Sequence, residues 1–312
     1  MYRVDENNVP LQEVTEDFLV KKNIKLFVLR EDLIHPEISG NKWRKLKYNC
    51  VEAKEKGHSQ LLTFGGAYSN HIAATAAAGK EFGFKTVGII RGEETLPLNN
   101  TLKQASEYGM KFKYVNRGFY RNEKYNSEFL KTLKSEFGDF YLVPEGGSNP
   151  FAVKGCSEII SNISIDYDVI TCACGTGGTI SGIIASVDKS KEIIGFPALK
   201  GGEFLIENIQ KLLHDFSIQF DYQVSKSNWI LNTDFHFGGY GKITPDLVEF
   251  VTRFKQQKKI PLDLIYSGKM LFGIYQLAKT TDVFNNKTIV AIHTGGLQGN
   301  AGFEERLGIR IN

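Results

Sequence analysis

Alternation of short apolar, β-branched runs with helical stretches predicts an α/β fold, built as two three-layer lobes with mostly parallel sheets. Three observations predict it. The strand-like runs are nearly all apolar, as expected where helices cover both faces of a sheet. Helical stretches separate them, which is the connection parallel strands require. The 312 residues suit two lobes at roughly 150 residues each.

The strand series opens with KLFVL (25–29), QLLTF (60–64) and KTVGII (85–90). KFKYV (111–115), FYLV (140–143) and DVITCA (168–173) follow, then EIIGF (192–196) and KTIVAIH (287–293). Each is short, β-branched or aromatic, and bounded by turn residues. Between them, 69–83 is Ala-rich and stops at Gly83, and 99–109 starts on Asn and stops at Gly109. A third helical stretch, GGTISGIIASV, follows a glycine loop at 177–187. No Ser/Gly linker, low-complexity stretch or fixed-period repeat marks a boundary between lobes.

Composition excludes several function classes. The chain carries 38 basic and 35 acidic residues, a net charge of +3, which points to neither nucleic acid nor a membrane surface as partner. No run approaches the roughly 18 apolar residues of a membrane span, and the first residues lack the apolar core of a secretory signal. The expectation is a cytoplasmic enzyme. The four cysteines, Cys50, Cys156, Cys172 and Cys174, have no disulfide-framework spacing. Cys172 and Cys174 would share one face of a strand. With no CxxC pair or histidine cluster nearby, they are read as small buried hydrophobes, and no metal site is expected.

Four glycine turns stand at predicted strand ends: FGGAYSN (64–70), PEGGSNP (144–150), CGTGGT (174–179) and HTGG (293–296). Ligands of open α/β sheets bind at the carboxyl ends of strands, so four such turns suggest a crevice. Gly175–Thr179 joins an apolar strand to a helix start, and free N–H groups there favour a phosphate. The spacing is neither a Walker A loop nor GxGxxG, which argues against a nucleotide-binding oxidoreductase. In ISGNKWRKLKYN (38–49), Lys45 and Lys47 read as a solvated helix face and Trp43 as core. Lys42 differs, because Ser39-Gly40-Asn41 is a turn-and-cap sequence that fixes its position. A lysine held in a crevice can lose its proton by desolvation and form a Schiff base. A phosphate loop with such a lysine is the signature of a pyridoxal phosphate enzyme. His71 reads equally as an acid or base and as a helix-start histidine without a role; His293 reads as a core histidine.

SGNKWRKL, FGGAYSNH, PEGGSNPFAVKG, GTGGT, FGGYGKITP, YSGKM and HTGG together resemble the 1-aminocyclopropane-1-carboxylate deaminase and D-cysteine desulfhydrase family, over about residues 30–302. That family belongs to the tryptophan-synthase-β-like pyridoxal phosphate enzymes of fold type II. The resemblance implies that Lys42 carries the cofactor and that Asn70 partners its ring hydroxyl. It implies a catalytic Ser69 near the substrate carboxylate, a phosphate cradle at Gly175, Thr176, Gly177, Gly178 and Thr179, and an active-site Tyr266. It further implies a homodimer acting on a small amino acid. The larger lobe would be discontinuous, 1–47 with 153–312, around a smaller lobe at 48–152.

Ring-opening members of the family carry Glu after the active-site tyrosine and Leu before the late glycine pair. Here the residues are Ser267 and Thr294, both expected at the cofactor. A neutral hydroxyl stabilises a protonated pyridine nitrogen less than a carboxylate does. Elimination of a thiolate tolerates the weaker electron sink, so the expected activity is D-cysteine to pyruvate, ammonia and hydrogen sulfide. The alternatives are 1-aminocyclopropane-1-carboxylate deamination and a pyridoxal phosphate-binding protein without turnover.

Overall fold

The computed structural model describes residues 5–6, 8–225 and 227–311. Among the described residues ten strands form two sheets. They are β1 (Leu11–Val14), β2 (Lys25–Leu29), β3 (Gln60–Gly66), β4 (Lys85–Arg91) and β5 (Lys111–Val115). The rest are β6 (Tyr141–Val143), β7 (Val169–Cys174), β8 (Glu192–Pro197), β9 (Asn228–Leu231) and β10 (Thr288–Ile292). One sheet has the order β1-β2-β10-β7-β8-β9, the other β5-β4-β3-β6. Every pairing is parallel except β1 with β2.

The period-2 alternation of a strand explains why both sheet faces are apolar. On β7, Ile170, Cys172 and Cys174 enter one core cluster while Val169 and Ala173 enter the cluster on the opposite face. On β10, Val290 and Ile292 face one way, Ile289 and Ala291 the other. Burying each of the valine and isoleucine side chains among these contributes roughly 1.5–3 kcal/mol. All four cysteines are buried and free.

Two strands were not anticipated from the sequence. LQEV and NWIL lie at the two edges of the larger sheet, are short, and are only partly buried. An edge strand needs no continuous apolar run. The expected lobe limits at 47/48 and 152/153 fall inside the helices Asn41–Glu55 and Pro150–Ser157. Those two helices cross so closely that a Cβ on Gly155 would stand 1.8 Å from the carbonyl oxygen of Arg44. Among the described residues no helix is long and apolar enough to cross a membrane, and no group of three or more His, Cys, Asp or Glu side chains could hold a metal ion.

Candidate active site

The turns after β3, β6, β7 and β10, which the sequence marks by their glycines, open onto one cavity of about 740 Å³. Parallel strands present all their carboxyl ends on one side, and here both sheets present theirs to the same space. Lys42, Ser69, Asn70, Tyr266 and Thr294 line it, as do Gly175, Thr176, Gly177 and Thr179.

Lys42 sits in the first turn of the helix Asn41–Glu55. Its Nζ donates to Asn41 Oδ1 at 2.8 Å, and the Asn41 amide donates to Thr179 Oγ1 at 2.8 Å. Asn41 thereby ties the lysine to the Gly175–Thr179 turn. Desolvation by the surrounding protein, reinforced by the charge of Lys45, lowers the Lys42 pKa to about 7.

The helix Gly178–Ser186 has Gly177 as its N-cap, at φ 88°, and no side chain caps it. Its first N–H groups therefore have no side-chain acceptor. Lys45 stands beside them. A Cβ on Gly178 would meet Ser148 Oγ at 2.6 Å and Lys45 Nζ at 3.1 Å. Lys45 Nζ donates to the Gly146 carbonyl at 3.1 Å and to Ser148 Oγ at 3.2 Å. An uncapped helix start, a glycine and an ammonium are chemically suited to hold a phosphate.

Lys45 corrects the sequence expectation of a solvated position, because it is only 3% exposed. Three residues after Lys42, it lies on the same face of the helix, and that spacing was the available signal. Lys47 is corrected as well. It is half-buried and paired with Glu6 at 2.6 Å and Glu158 at 2.8 Å. Between Lys42 and Lys45 on the helix, Arg44 makes a bidentate pair with buried Glu31, at 3.0 and 3.1 Å.

On the facing wall, Ser69 caps the helix Asn70–Phe82, accepting from the His71 and Ile72 N–H groups. Asn70 Oδ1 is buried and has no hydrogen-bond partner among the described residues. His71 is buried, with Nε2 2.8 Å from Thr63 Oγ1, whose hydroxyl donates to the Val143 carbonyl at 2.9 Å. The shared proton therefore comes from His71. Burial, helped by Lys42 and Lys45, lowers its pKa well below the ordinary value, so the imidazole is neutral.

Ser267 behaves differently from Thr294. Ser267 is fully buried and does not line the cavity. Its hydroxyl donates to Asp263 Oδ1 at 2.6 Å. The Asp263 carboxylate also accepts the N–H groups of Ile265, Tyr266 and Ser267 at 2.7–2.9 Å. Asp263, which sequence reading missed, thus fixes the backbone that presents Tyr266. Tyr240, also missed, lies beside Tyr266 with ring centroids 6.2 Å apart. Burial first, then the neighbouring Tyr240 hydroxyl and the Asp263 charge, hold the Tyr266 hydroxyl well above its ordinary pKa. The Tyr240 loop is pinned by buried Lys269, which donates to the carbonyls of His236 and Gly239 at 2.9 and 2.8 Å. His293, a buried residue as expected, bonds the Pro261 carbonyl and accepts from the Gly295 N–H, bracing the last glycine turn.

A parallel α/β fold with a lysine, an anion cradle and strand-end turns around one cavity defines a cofactor enzyme. The chain belongs to the pyridoxal-phosphate dependent enzymes, whose family pattern matches residues 5–295. Within that family it resembles the 1-aminocyclopropane-1-carboxylate deaminase and D-cysteine desulfhydrase group. A bifunctional D-cysteine desulfhydrase/1-aminocyclopropane-1-carboxylate deaminase of Arabidopsis thaliana is 29% identical, over 88% of this chain and 73% of its own. A putative 1-aminocyclopropane-1-carboxylate deaminase of Pyrococcus furiosus is 30% identical, over 90% and 88%. The crystal structure of a 1-aminocyclopropane-1-carboxylate deaminase homologue superposes with a TM-score of 0.83 at 26% identity, covering 98% of this chain and 95% of that one. The residues present fit the cofactor: a lysine able to be neutral, an uncapped helix start with a cation beside it, and an unpartnered buried amide oxygen at Asn70.

Proposed function

We propose that this enzyme eliminates hydrogen sulfide from D-cysteine, leaving pyruvate and ammonia. The observation that carries the reading is the seating of Lys42 between two strand-to-helix turns, one uncapped and one capped by Ser69. When bound, the cofactor supplies an electron sink for the bond broken at the substrate's α-carbon. In this reading Lys42 holds it covalently, Asn70 partners its ring hydroxyl, and the Gly175–Thr179 turn with Lys45 holds its phosphate. With its pKa lowered to about 7 by burial, Lys42 Nζ can be neutral near pH 7 and accepts the α-proton. Ser69 and the amides it orders receive the substrate carboxylate. The Tyr266 hydroxyl, kept protonated by burial, gives a proton to the departing sulfur. A hydroxyl at position 294, which lines the cavity where ring-opening members carry Leu, supports the choice of D-cysteine.

One observation favours a second reading, deamination of 1-aminocyclopropane-1-carboxylate. Asp263 lies directly behind Ser267, so the carboxylate absent from position 267 is replaced by one a single hydrogen bond away. Keto-acid release from D-cysteine, L-cysteine, D-serine and 1-aminocyclopropane-1-carboxylate decides between the two. The expected result is pyruvate and sulfide from D-cysteine as the dominant products. Production of 2-oxobutanoate at a higher rate rejects the first reading. Borohydride trapping should label Lys42; a label on Lys45 removes the assignment of the anchor.

A further inference from the structure

The cavity continues past Ser69 to an open end formed by the small four-stranded sheet. Arg91 ends β4 in register with Gly66 of β3, three residues before Ser69. Its guanidinium lies over that glycine, with one terminal nitrogen 3.7 Å from where a Cβ would stand. Arg117 follows β5 by two residues, and its Nε lies 3.9 Å from the Cβ position of Gly92. Three neighbouring parallel strands therefore end in the Ser69 turn, Arg91 and Arg117, in that order across the sheet.

Five cationic side chains line the cavity against two carboxylates, Glu93 and Glu145. Lys42 and Lys45 belong to the cofactor end. Lys124 is paired with Glu145 at 3.0 Å. Among the described residues Arg91 and Arg117 form no ion pair, with Glu93 or with any other carboxylate. Two unneutralised guanidinium groups at the rim of one cavity attract anions, and their forked donors suit an oxyanion. The substrate's α-carboxylate already has its place at the Ser69 turn.

We propose that Arg91 and Arg117 form a subsite for a second anionic group, carried on the β-substituent of the substrate. The substrate class is then β-substituted amino acids whose side chain ends in a phosphate, sulfonate or carboxylate, with D-cysteine a smaller substrate that leaves this subsite unfilled. The proposal rests on the β-elimination reading. The α C–H bond breaks with its proton passing to Lys42 Nζ. The bond from the β-carbon to the substituent breaks with its electron pair leaving on the substituent, which the guanidinium groups hold. Water then replaces nitrogen, giving pyruvate and ammonium, with no change of redox state beyond that of elimination.

The test uses holoenzyme and the double variant Arg91→Gln, Arg117→Gln. The ratio of kcat/KM for O-phospho-D-serine to that for β-chloro-D-alanine is expected to fall by ~10-fold or more in the variant. That fall should shrink in high salt, because both arginines are exposed. An unchanged ratio overturns the subsite, including the case in which both substrates lose equally. Calorimetric binding of D-aspartate against D-alanine keeps the two proposals separable. A preference for D-aspartate that vanishes in the double variant, with no keto acid from O-phospho-D-serine or β-chloro-D-alanine, keeps the subsite and rejects elimination. Equal binding of the two by the unaltered protein rejects the subsite.

Discussion

The turns at Ser69–Asn70 and Gly175–Thr179 share a construction and differ in wiring. Each follows a parallel strand and starts a helix. At the first, the Ser69 side chain accepts the leading N–H groups. At the second, a glycine stands in the capping position and a buried lysine waits nearby. A capped helix start has met part of its own demand for acceptors, whereas an uncapped one beside a cation still has N–H groups to offer a ligand. The comparison teaches that the missing cap, together with the ammonium, marks an anion site more clearly than the glycines do.

The largest effect is expected at the residue between the two turns. Lys42→Ala should lower turnover by ~10²–10⁴-fold or more and remove the visible band of the bound cofactor while far-ultraviolet dichroism stays the same. The same amine gives a pH test. A group lowered to about 7 by burial is the neutral nucleophile above that pH and the inert ammonium below it. Cofactor capture by the apoprotein should therefore accelerate as pH rises through 7 and level off beyond it. Acceleration continuing to pH 10, the behaviour of an ordinary lysine, would contradict the assigned environment.

Next come substitutions that separate the turns. Gly178→Ala directs a methyl group to within 2.6 Å of Ser148 Oγ and 3.1 Å of Lys45 Nζ, and should weaken cofactor affinity by about tenfold, roughly 1.4 kcal/mol. Ser69→Ala should instead cost about 1 kcal/mol of stability through loss of the cap, seen as a lower urea midpoint, with a smaller change in cofactor affinity. If the two variants exchange these signatures, the contrast between the turns is wrong. A smaller effect is expected from Lys269→Met, which frees the loop carrying Tyr240. Catalytic rate should drop severalfold with cofactor affinity maintained, and Lys269→Arg should restore part of it. An equal loss in both variants would reduce Lys269 to a packing role.

Much of this was legible because strand-end glycines and a fixed lysine are local signals. The central strands announced themselves by being apolar on both faces. β1 and β9 did not, since an edge strand packs only in part and keeps polar residues. Lys45 looked like a surface charge because its acceptors, Gly146 and Ser148, come from a loop about a hundred residues away. Ser267 was expected at the cofactor; its hydroxyl instead serves Asp263. The exchange of Ser267 for Glu with Thr294 for Leu, attractive from the family pattern, would therefore set a second carboxylate against Asp263 in a fully buried position. Its first consequence should be a lower Tm rather than a new substrate preference. An unaltered Tm together with a shifted ratio of the two activities would restore the sequence expectation.

Gly155 does not line the cavity, yet its backbone touches the turn that carries Arg44 and, on either side of it, Lys42 and Lys45. In a library of variants screened for activity, position 155 should tolerate replacement as poorly as position 42. Even alanine must push the lysine-bearing helix outward, since its methyl group would lie 1.8 Å from a carbonyl oxygen that has nowhere to retreat within the helix. Variants at 155 would be scored as catalytic failures in such a screen, although the alteration is one of spacing between two helices. Genetic intolerance in this enzyme thus maps the ruler by which the amine is set as well as the amine itself.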